Sequence, residues 1–376
     1  VTSNEPIVGA EPAAAPEPAA TDPGPLADRL LADAVSTMEL LSVALGAELG
    51  LYQAVAERAT DARTVAQRAG IHPRYAREWL EQQAVAGVLQ AEPGQDPDPY
   101  ARVFALPDPH RQVLLDPDSP AFLGTLPGFV ASFGGLLPEL AAAYRTGGGV
   151  AYQAYGPATR HGIAGMNRPM FHAQLGDWLA TLPDIRDRLA SQPGRVLDLG
   201  CGTGASSIAL AELFPPARVD GVDLDQASIA EAEAAARRAG LAGRVSFRQA
   251  DAAGLTGPAG GSYQLVTLFE SLHDIADPVA ALRAARALLA PGGAVLIGDE
   301  RVAERFTAPG DLVERLNYGF SVLHCLPATR AEGTAVEAGT VLRPDTVAEY
   351  AARAGYTTTV LPVGHDLWRF YRLDPA

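Results

Sequence analysis

An apolar stretch at 195–199 runs straight into Asp198-Leu199-Gly200-Cys201-Gly202-Thr203-Gly204, and helical periodicity resumes near Ser206. Few architectures place three alternate glycines at a strand-to-helix bend. Glycine tolerates the backbone angles of a tight bend and, lacking Cβ, lets a ligand approach the main chain. The helix that follows offers unpaired N–H groups at the same place. From this point strands and helices alternate, which predicts an α/β fold whose mainly parallel sheet is covered on both faces. Strands are expected at 195–199, 218–223, 244–249, 264–269 and 294–299, with helices such as 228–239 and 278–289 between them. Gly355 ends a further helix, and late strands at 357–362 and 367–373 bring the expected sheet to seven strands.

The loop does not identify its ligand by itself. Gly200, Gly202 and Ala205 satisfy the loose dinucleotide fingerprint, so a nicotinamide oxidoreductase fits this much of the chain. Three features point elsewhere. Asp198 precedes the first glycine by two residues, where it repels a pyrophosphate and welcomes an amino group. Asp223, at the end of the second strand, is placed to accept both hydroxyls of a ribose. Asp251 follows the third strand with Ala252 beside it, suited to an adenine amino group, and Leu289-Ala290-Pro291-Gly292-Gly293 turns into the fifth strand.

With these residues in order, 194–301 resembles a class I methyltransferase domain, a Rossmann-like fold whose last strand is antiparallel. The resemblance implies S-adenosyl-L-methionine as cofactor and S-adenosyl-L-homocysteine as product. It implies Gly200, Gly202 and Gly204 under the cofactor and Asp198 nearby. It also implies Asp223 and Leu224 at the ribose, Asp251 and Ala252 near the adenine, and Phe269 and Glu270 on the cofactor side of the fourth strand. The segment Phe269-Glu270-Ser271-Leu272-His273-Asp274-Ile275-Ala276-Asp277-Pro278 resembles that of small-molecule O-methyltransferases, which carry a winged-helix-like dimerisation domain. In that family the histidine is the general base and an acid after the fifth strand orients it. By position these are His273 and Glu300, with Asp274 in support. A histidine there suits removal of a hydroxyl proton near neutral pH. Ile275 stands where the family has tryptophan, so the contact flanking the adenine differs, and a second orienting acid is not identifiable. N- or C-methylation would use the same cofactor domain.

Upstream, residues 1–25 are rich in alanine, proline and acids, and read as a disordered tail without the charge and apolar pattern of a targeting signal. Leu31, Val35, Met38, Leu45, Leu49 and Tyr52 then recur at helical spacing on one long helix. The stripe is either a core face or a helix shared with a second subunit, so a homodimer is left open. A helix ending at Gly70, a second opened by His72-Pro73, and strand-like pieces at 88–89 and 102–106 suggest a winged helix over 26–120. Its second helix sets Arg74 and Arg77 against Glu78 and Glu81. A groove reader should be net basic there, which argues against nucleic acid, and a ligand-sensing regulator that has kept the cofactor domain stays the alternative. Residues 121–190 read as helical linker and pocket cover, with Phe171, Leu175, Trp178, Leu179 and Leu182 on a buried helix face. Tyr152 and Tyr155 beside Gly156 are either a lid or a packed turn, the turn being preferred. The methyltransferase-like domain is expected over 191–376.

The whole chain carries a formal charge of −15, and all 29 of its basic residues are arginine. That balance again disfavours a phosphate backbone as partner and leaves a small-molecule acceptor. No apolar run is judged long enough to span a bilayer, so no membrane role is expected. The two cysteines, Cys201 and Cys325, fit a reducing cytoplasm better than a disulfide framework. No metal is expected, because His324 and Cys325 are adjacent and show no third ligand.

Overall fold

The computed structural model describes residues 22–93, 97–258, 261–333, 336 and 339–376. Residues 1–21 of the expected tail lie outside that range, and helix α1 (Gly24–Glu48) begins within the remainder. Gly50, at φ 66°, breaks the expected long helix before α2 (Leu51–Ala56). Then come β1 (Thr60–Asp61), α3 (Ala62–Ala69), α4 (Pro73–Val85), β2 (Gln90–Ala91) and β3 (Val103–Ala105). Asp61 caps α3 by accepting from the Thr64 N–H at 2.9 Å, and Gly70 ends it in the left-handed region. His72 caps α4, with Pro73 where its missing N–H does no harm.

The three strands pair in the order β1-β3-β2, a winged helix with one strand more than the sequence suggests. The second strand starts two residues later than 88–89, because the N–H groups of Val88 and Leu89 close the end of α4 on the Gln83 carbonyl. Leu51, Tyr52, Val65, Trp79, Leu80 and Phe104 form the core of this unit.

Helix α1 leaves its part of the stripe outside the core, whereas Tyr52, past Gly50 on α2, lies within it. Leu31 is 68% exposed, Met38 67% and Leu45 53%, and the one buried residue of the helix is Gly46. A Cβ on Gly46 would lie 2.3 Å from the Trp79 ring, so the glycine lets α1 lie against α4. By length and composition α1 is also apolar enough to cross a membrane, contrary to expectation. Asp28, Arg29, Asp33 and Glu39 interrupt it.

Five helices link the two halves: α5 (Asp108–Leu115), α6 (Leu126–Gly134), α7 (Leu137–Thr146), α8 (Gly156–Ala180) and α9 (Pro183–Ser191). The second half contains β4 (Arg195–Leu199), α10 (Ala205–Leu213), β5 (Arg218–Asp223), α11 (Gln226–Arg238), β6 (Val245–Gln249), β7 (Tyr263–Phe269) and α12 (Pro278–Leu288). It continues with β8 (Leu289–Glu300), α13 (Leu312–Phe320), α14 (Leu326–Ala331), α15 (Pro344–Arg353), β9 (Tyr356–Val360) and β10 (Trp368–Pro375).

The sheet has seven strands in the order β6-β5-β4-β7-β8-β10-β9, and β10 runs antiparallel to both neighbours. Alternate residues feed opposite cores. Leu197, Leu199, Val266, Leu268, Val295 and Ile297 meet α12 and α15, while Val196, Leu265 and Leu296 meet Leu175, Trp178 and Leu179 of α8. The strand order turns back between β4 and β7, which opens a crevice at their carboxyl ends.

Candidate active site

The crevice floor is the loop after β4. Gly200, Gly202 and Gly204 have φ of 69°, 50° and 86°, in the left-handed region that favours glycine. A Cβ on Gly200 would lie 2.4 Å from that of Ser271, and one on Gly204 2.7 Å from the Phe247 ring. One on Gly202 would meet nothing within 4 Å. Asp223 fixes the loop from β5, its Oδ2 accepting from the Gly202 N–H and its Oδ1 from the Asp225 N–H, both at 2.8 Å. Each oxygen keeps a lone pair for a further donor. Burial pushes this carboxyl up, against the two backbone hydrogen bonds.

Asp198 is placed differently from expectation. It is 1% exposed, and its carboxylate accepts from the hydroxyls of Ser206 and Ser207 at 2.6 Å and Thr267 at 2.7 Å. The group faces the interior and ties β4 to α10 and β7, so it does not meet an amino group in the crevice. Asp251 lies exposed at the end of β6 and caps the turn after it through the Ala253 N–H, with Ala252 buried behind. Leu224 is 43% exposed beside Asp223.

The roof is α8 with the short turn Tyr152–Tyr155 before it. Tyr152, Arg160, Ile163, Asn167 and Phe171 face Gly200, Gly202, Phe269 and Glu270 across the cleft. Arg160 anchors the roof 3.8 Å from Asp225, at the start of α11. Tyr155 is buried and donates to the Leu323 carbonyl at 2.9 Å, whereas Tyr152 lines the cleft, so the segment is a packed turn with one cleft-facing ring.

Glu270 has φ 47°, the one positive value outside glycine among the described residues. Such a conformation costs about 1–3 kcal/mol and persists where surrounding structure enforces it. Asn167 and the Trp368 indole donate to its carboxylate.

Past Glu270, Ser271 donates to the Leu199 carbonyl at 2.9 Å, which sets the turn Leu272–Asp274 beside the glycine loop. His273 is 3% exposed. Its Nδ1 lies 2.7 Å from Asp299 Oδ1, and its Nε2 lies 3.5 Å from Asp274 Oδ1. The expected partner, Glu300, is one residue too far along β8. Neighbouring strand side chains take opposite faces, so Asp299 meets His273 while Glu300 pairs with Glu270. Burial and the Glu270 charge push the Glu300 carboxyl well above its usual range. Burial alone would lower His273, but the charges of Asp299 and Asp274 and the Asp299 hydrogen bond raise it well above an ordinary histidine.

Two further groups reach this corner. A π-helical turn, Ser321–Cys325, carries His324 and Cys325 inward, and both are buried. Cys325 Sγ lies 3.4 Å from His324 Nδ1 and within 4.8 Å of a His273 ring nitrogen. His324 lies edge-on to Tyr155 with ring centroids 4.6 Å apart, among Tyr152, Phe129 and Phe133. Burial, followed by the charges of Asp274, Asp251 and Asp223, pushes Glu332 up to about 7. Asp299 was legible as one of two acids ending the fifth strand. The approach of Cys325 to His273 spans separate elements and leaves no local signal.

Residues 191–335 match a methyltransferase domain family, and residues 37–115 match an Rv2258c-like winged HTH domain. The chain is 34% identical over 113 residues to the ubiquinone biosynthesis O-methyltransferase of Pseudomonas aeruginosa strain UCBPP-PA14, covering 30% of this chain and 47% of that protein. It is 33% identical over 139 residues to the 27-O-demethylrifamycin SV methyltransferase of Amycolatopsis mediterranei, covering 35% and 50%. The chain thus spans half or less of the length of these relatives. Among solved structures, the mitomycin 7-O-methyltransferase superposes with TM-score 0.64 at 20% identity, covering 94% of this chain and 99% of that one. Human N-acetylserotonin methyltransferase, solved in complex with SAM, gives 0.64 at 20% identity, covering 93% and 98%. At these identities the likeness establishes a common fold through both domains.

Proposed function

We propose that this chain, a methyltransferase domain behind a winged helix-turn-helix domain, transfers the methyl group of S-adenosyl-L-methionine to a hydroxyl of a small molecule. The observation that carries the reading is the juxtaposition of a glycine cradle with a histidine whose Nδ1 is held by a carboxylate. Asp223, with a free lone pair on each oxygen, would take the ribose hydroxyls. Leu224, Asp251 and Ala252 would border the adenine, and Phe269 and Glu270 would close the methionine end. The cofactor supplies an electrophilic methyl on a sulfonium that leaves as a neutral thioether. The protein's tasks are then to hold the acceptor oxygen in line and take its proton.

His273 Nε2 would accept that proton, with Asp299 holding the ring in place and stabilising the imidazolium. Asp274 would support the charge from the other side. Tyr152 borders the cleft with Phe129, Phe133 and His324 behind it, surroundings that suit a planar, largely apolar acceptor. In the winged helix, Arg74 pairs with Glu78 and Arg77 with Glu81, which leaves little basic charge for a phosphate backbone. The exposed stripe on α1 supports a role in pairing two copies of the chain.

Calorimetric titration with S-adenosyl-L-homocysteine tests the premise, with NADH as the competing ligand. Binding of the nucleoside sulfide alone is the expected result. Binding of NADH alone removes the reading.

A further inference from the structure

We propose that His273, Asp274 and Cys325 form a site for a soft divalent cation of the zinc class, and that the cation silences the base by occupying its Nε2. One ligand atom from each of these residues lies within 4.8 Å of the others. Zinc bonds of about 2.0–2.3 Å place tetrahedral ligands about 3.4–3.8 Å apart, so closure needs shifts of about 1 Å. The pair His273 Nε2 and Asp274 Oδ1 already stands at 3.5 Å.

Three further observations support the site. Asp274 Oδ1 is buried without a hydrogen-bond partner, a costly arrangement that a cation would relieve. The His273 Nδ1 bond to Asp299 is the carboxylate–histidine pairing that fixes the ring of a metal-bound histidine and raises its basicity. A thiol beside an imidazole selects zinc-like ions over magnesium or calcium. Charge also balances, since a neutral imidazole, a carboxylate and a thiolate carry two negative charges against two positive ones. On binding, the Cys325 S–H bond breaks and its proton leaves to solvent, as does the Nε2 proton of the imidazole where the ring is charged, and the freed sulfur and nitrogen lone pairs go to the metal.

The consequence for catalysis rests on the base assignment above, whereas the binding site does not. His273 Nε2 has one lone pair, so it holds a cation or accepts a hydroxyl proton, never both. Bound zinc therefore stops transfer, and a chelator restores it.

Titrating the reduced, metal-free full chain with Co²⁺, without cofactor or acceptor, tests the site. One equivalent should give a near-ultraviolet thiolate-to-cobalt band together with the visible intensity of four-coordinate cobalt, and Zn²⁺ should displace both. Cys325→Ser should lose the band, and Cys201→Ser, whose sole thiol is Cys325, should keep it. Asp299→Asn should weaken cobalt binding about 10–100-fold. A missing band in both the unsubstituted chain and Cys201→Ser, or a band surviving Cys325→Ser, overturns the site. If the band forms as expected and zinc accelerates transfer, the competition is wrong. If the chain binds cobalt but neither the nucleoside sulfide nor a methyl acceptor, the methyltransferase reading fails and the site stands.

Discussion

His273 has one ring nitrogen committed to Asp299 and one turned toward Asp274. Replacing it by alanine should slow methyl transfer about 10²–10⁴-fold, the usual worth of a positioned base. Calorimetry should find affinity for S-adenosyl-L-homocysteine nearly unchanged, because the ring lies beyond the glycine cradle; transfer at full rate would remove the base assignment. The pH dependence follows from the sign of the shift. A base acts only when neutral, and the charges of Asp299 and Asp274 raise this imidazole well above the ordinary range despite its burial. The kcat/KM profile should therefore climb with pH and level off above the range of an ordinary histidine. Asp299→Asn removes a raising charge, so it should move the midpoint to lower pH while lowering the plateau. Glu300→Gln should leave the midpoint closer to that of the unsubstituted chain, since Glu300 takes the opposite face of β8 and pairs with Glu270, whereas Asp299 holds the ring. This contrast separates the two acids that sequence position could not. Motif spacing reaches the end of β8, but a choice between adjacent residues depends on strand parity and on the turn that presents the histidine. Asp198 was misplaced for a similar reason. Its spacing before the glycines was legible, but the three hydroxyls that turn its carboxylate inward come from α10 and β7.

The loop after β4 shows how much an element can reveal before its partners are known. Alternate glycines at a strand-to-helix bend required positive φ, and all three have it. The sequence could not say which glycine is confined by packing and which by open space. Gly200→Ala combines a left-handed backbone, about 1–2 kcal/mol for an L-residue, with a contact at 2.4 Å to Ser271. Gly202→Ala meets nothing within 4 Å and incurs the backbone term alone, but its methyl projects beside the cleft. Denaturant unfolding should accordingly show Gly200→Ala destabilised by well over 2 kcal/mol and Gly202→Ala by about 1–2 kcal/mol. Gly202→Ala should lose cofactor affinity out of proportion to its stability. Equal unfolding midpoints would contradict the packing around Gly200. The sheet was legible because each strand is a compact apolar run with clear breaks, and boundaries moved little except at β8, where extended backbone continues through 289–293. The wing was less legible. A two-residue strand such as β1 has no period to detect, and backbone bonds to Gln83 shift the start of the next strand.

At the scale of the whole molecule, α1 leaves an apolar face that the rest of the described chain does not cover. Leu26, Leu30, Leu31, Val35, Met38, Leu41 and Leu45 are each more than 40% exposed. A contiguous apolar stripe left uncovered on a folded chain marks an interaction surface, and each side chain covered contributes roughly 25 cal/mol per Å². A second copy of α1 would supply the same stripe, as a two-fold interface requires. Light scattering on the full chain should therefore give a dimer. Leu31→Glu with Met38→Glu should give a monomer, because an interface cannot seat unpaired charges at its centre. Both positions are exposed in the single chain, so the substitutions leave its cores intact. The thermal midpoint of the unsubstituted chain should rise with protein concentration, since association stabilises the folded state by mass action. That of the double variant should not. A concentration-independent midpoint together with a monomeric unsubstituted chain would leave the stripe to some other surface, with the interrupting charges at Asp28, Arg29, Asp33 and Glu39 setting how deeply that surface could accept it.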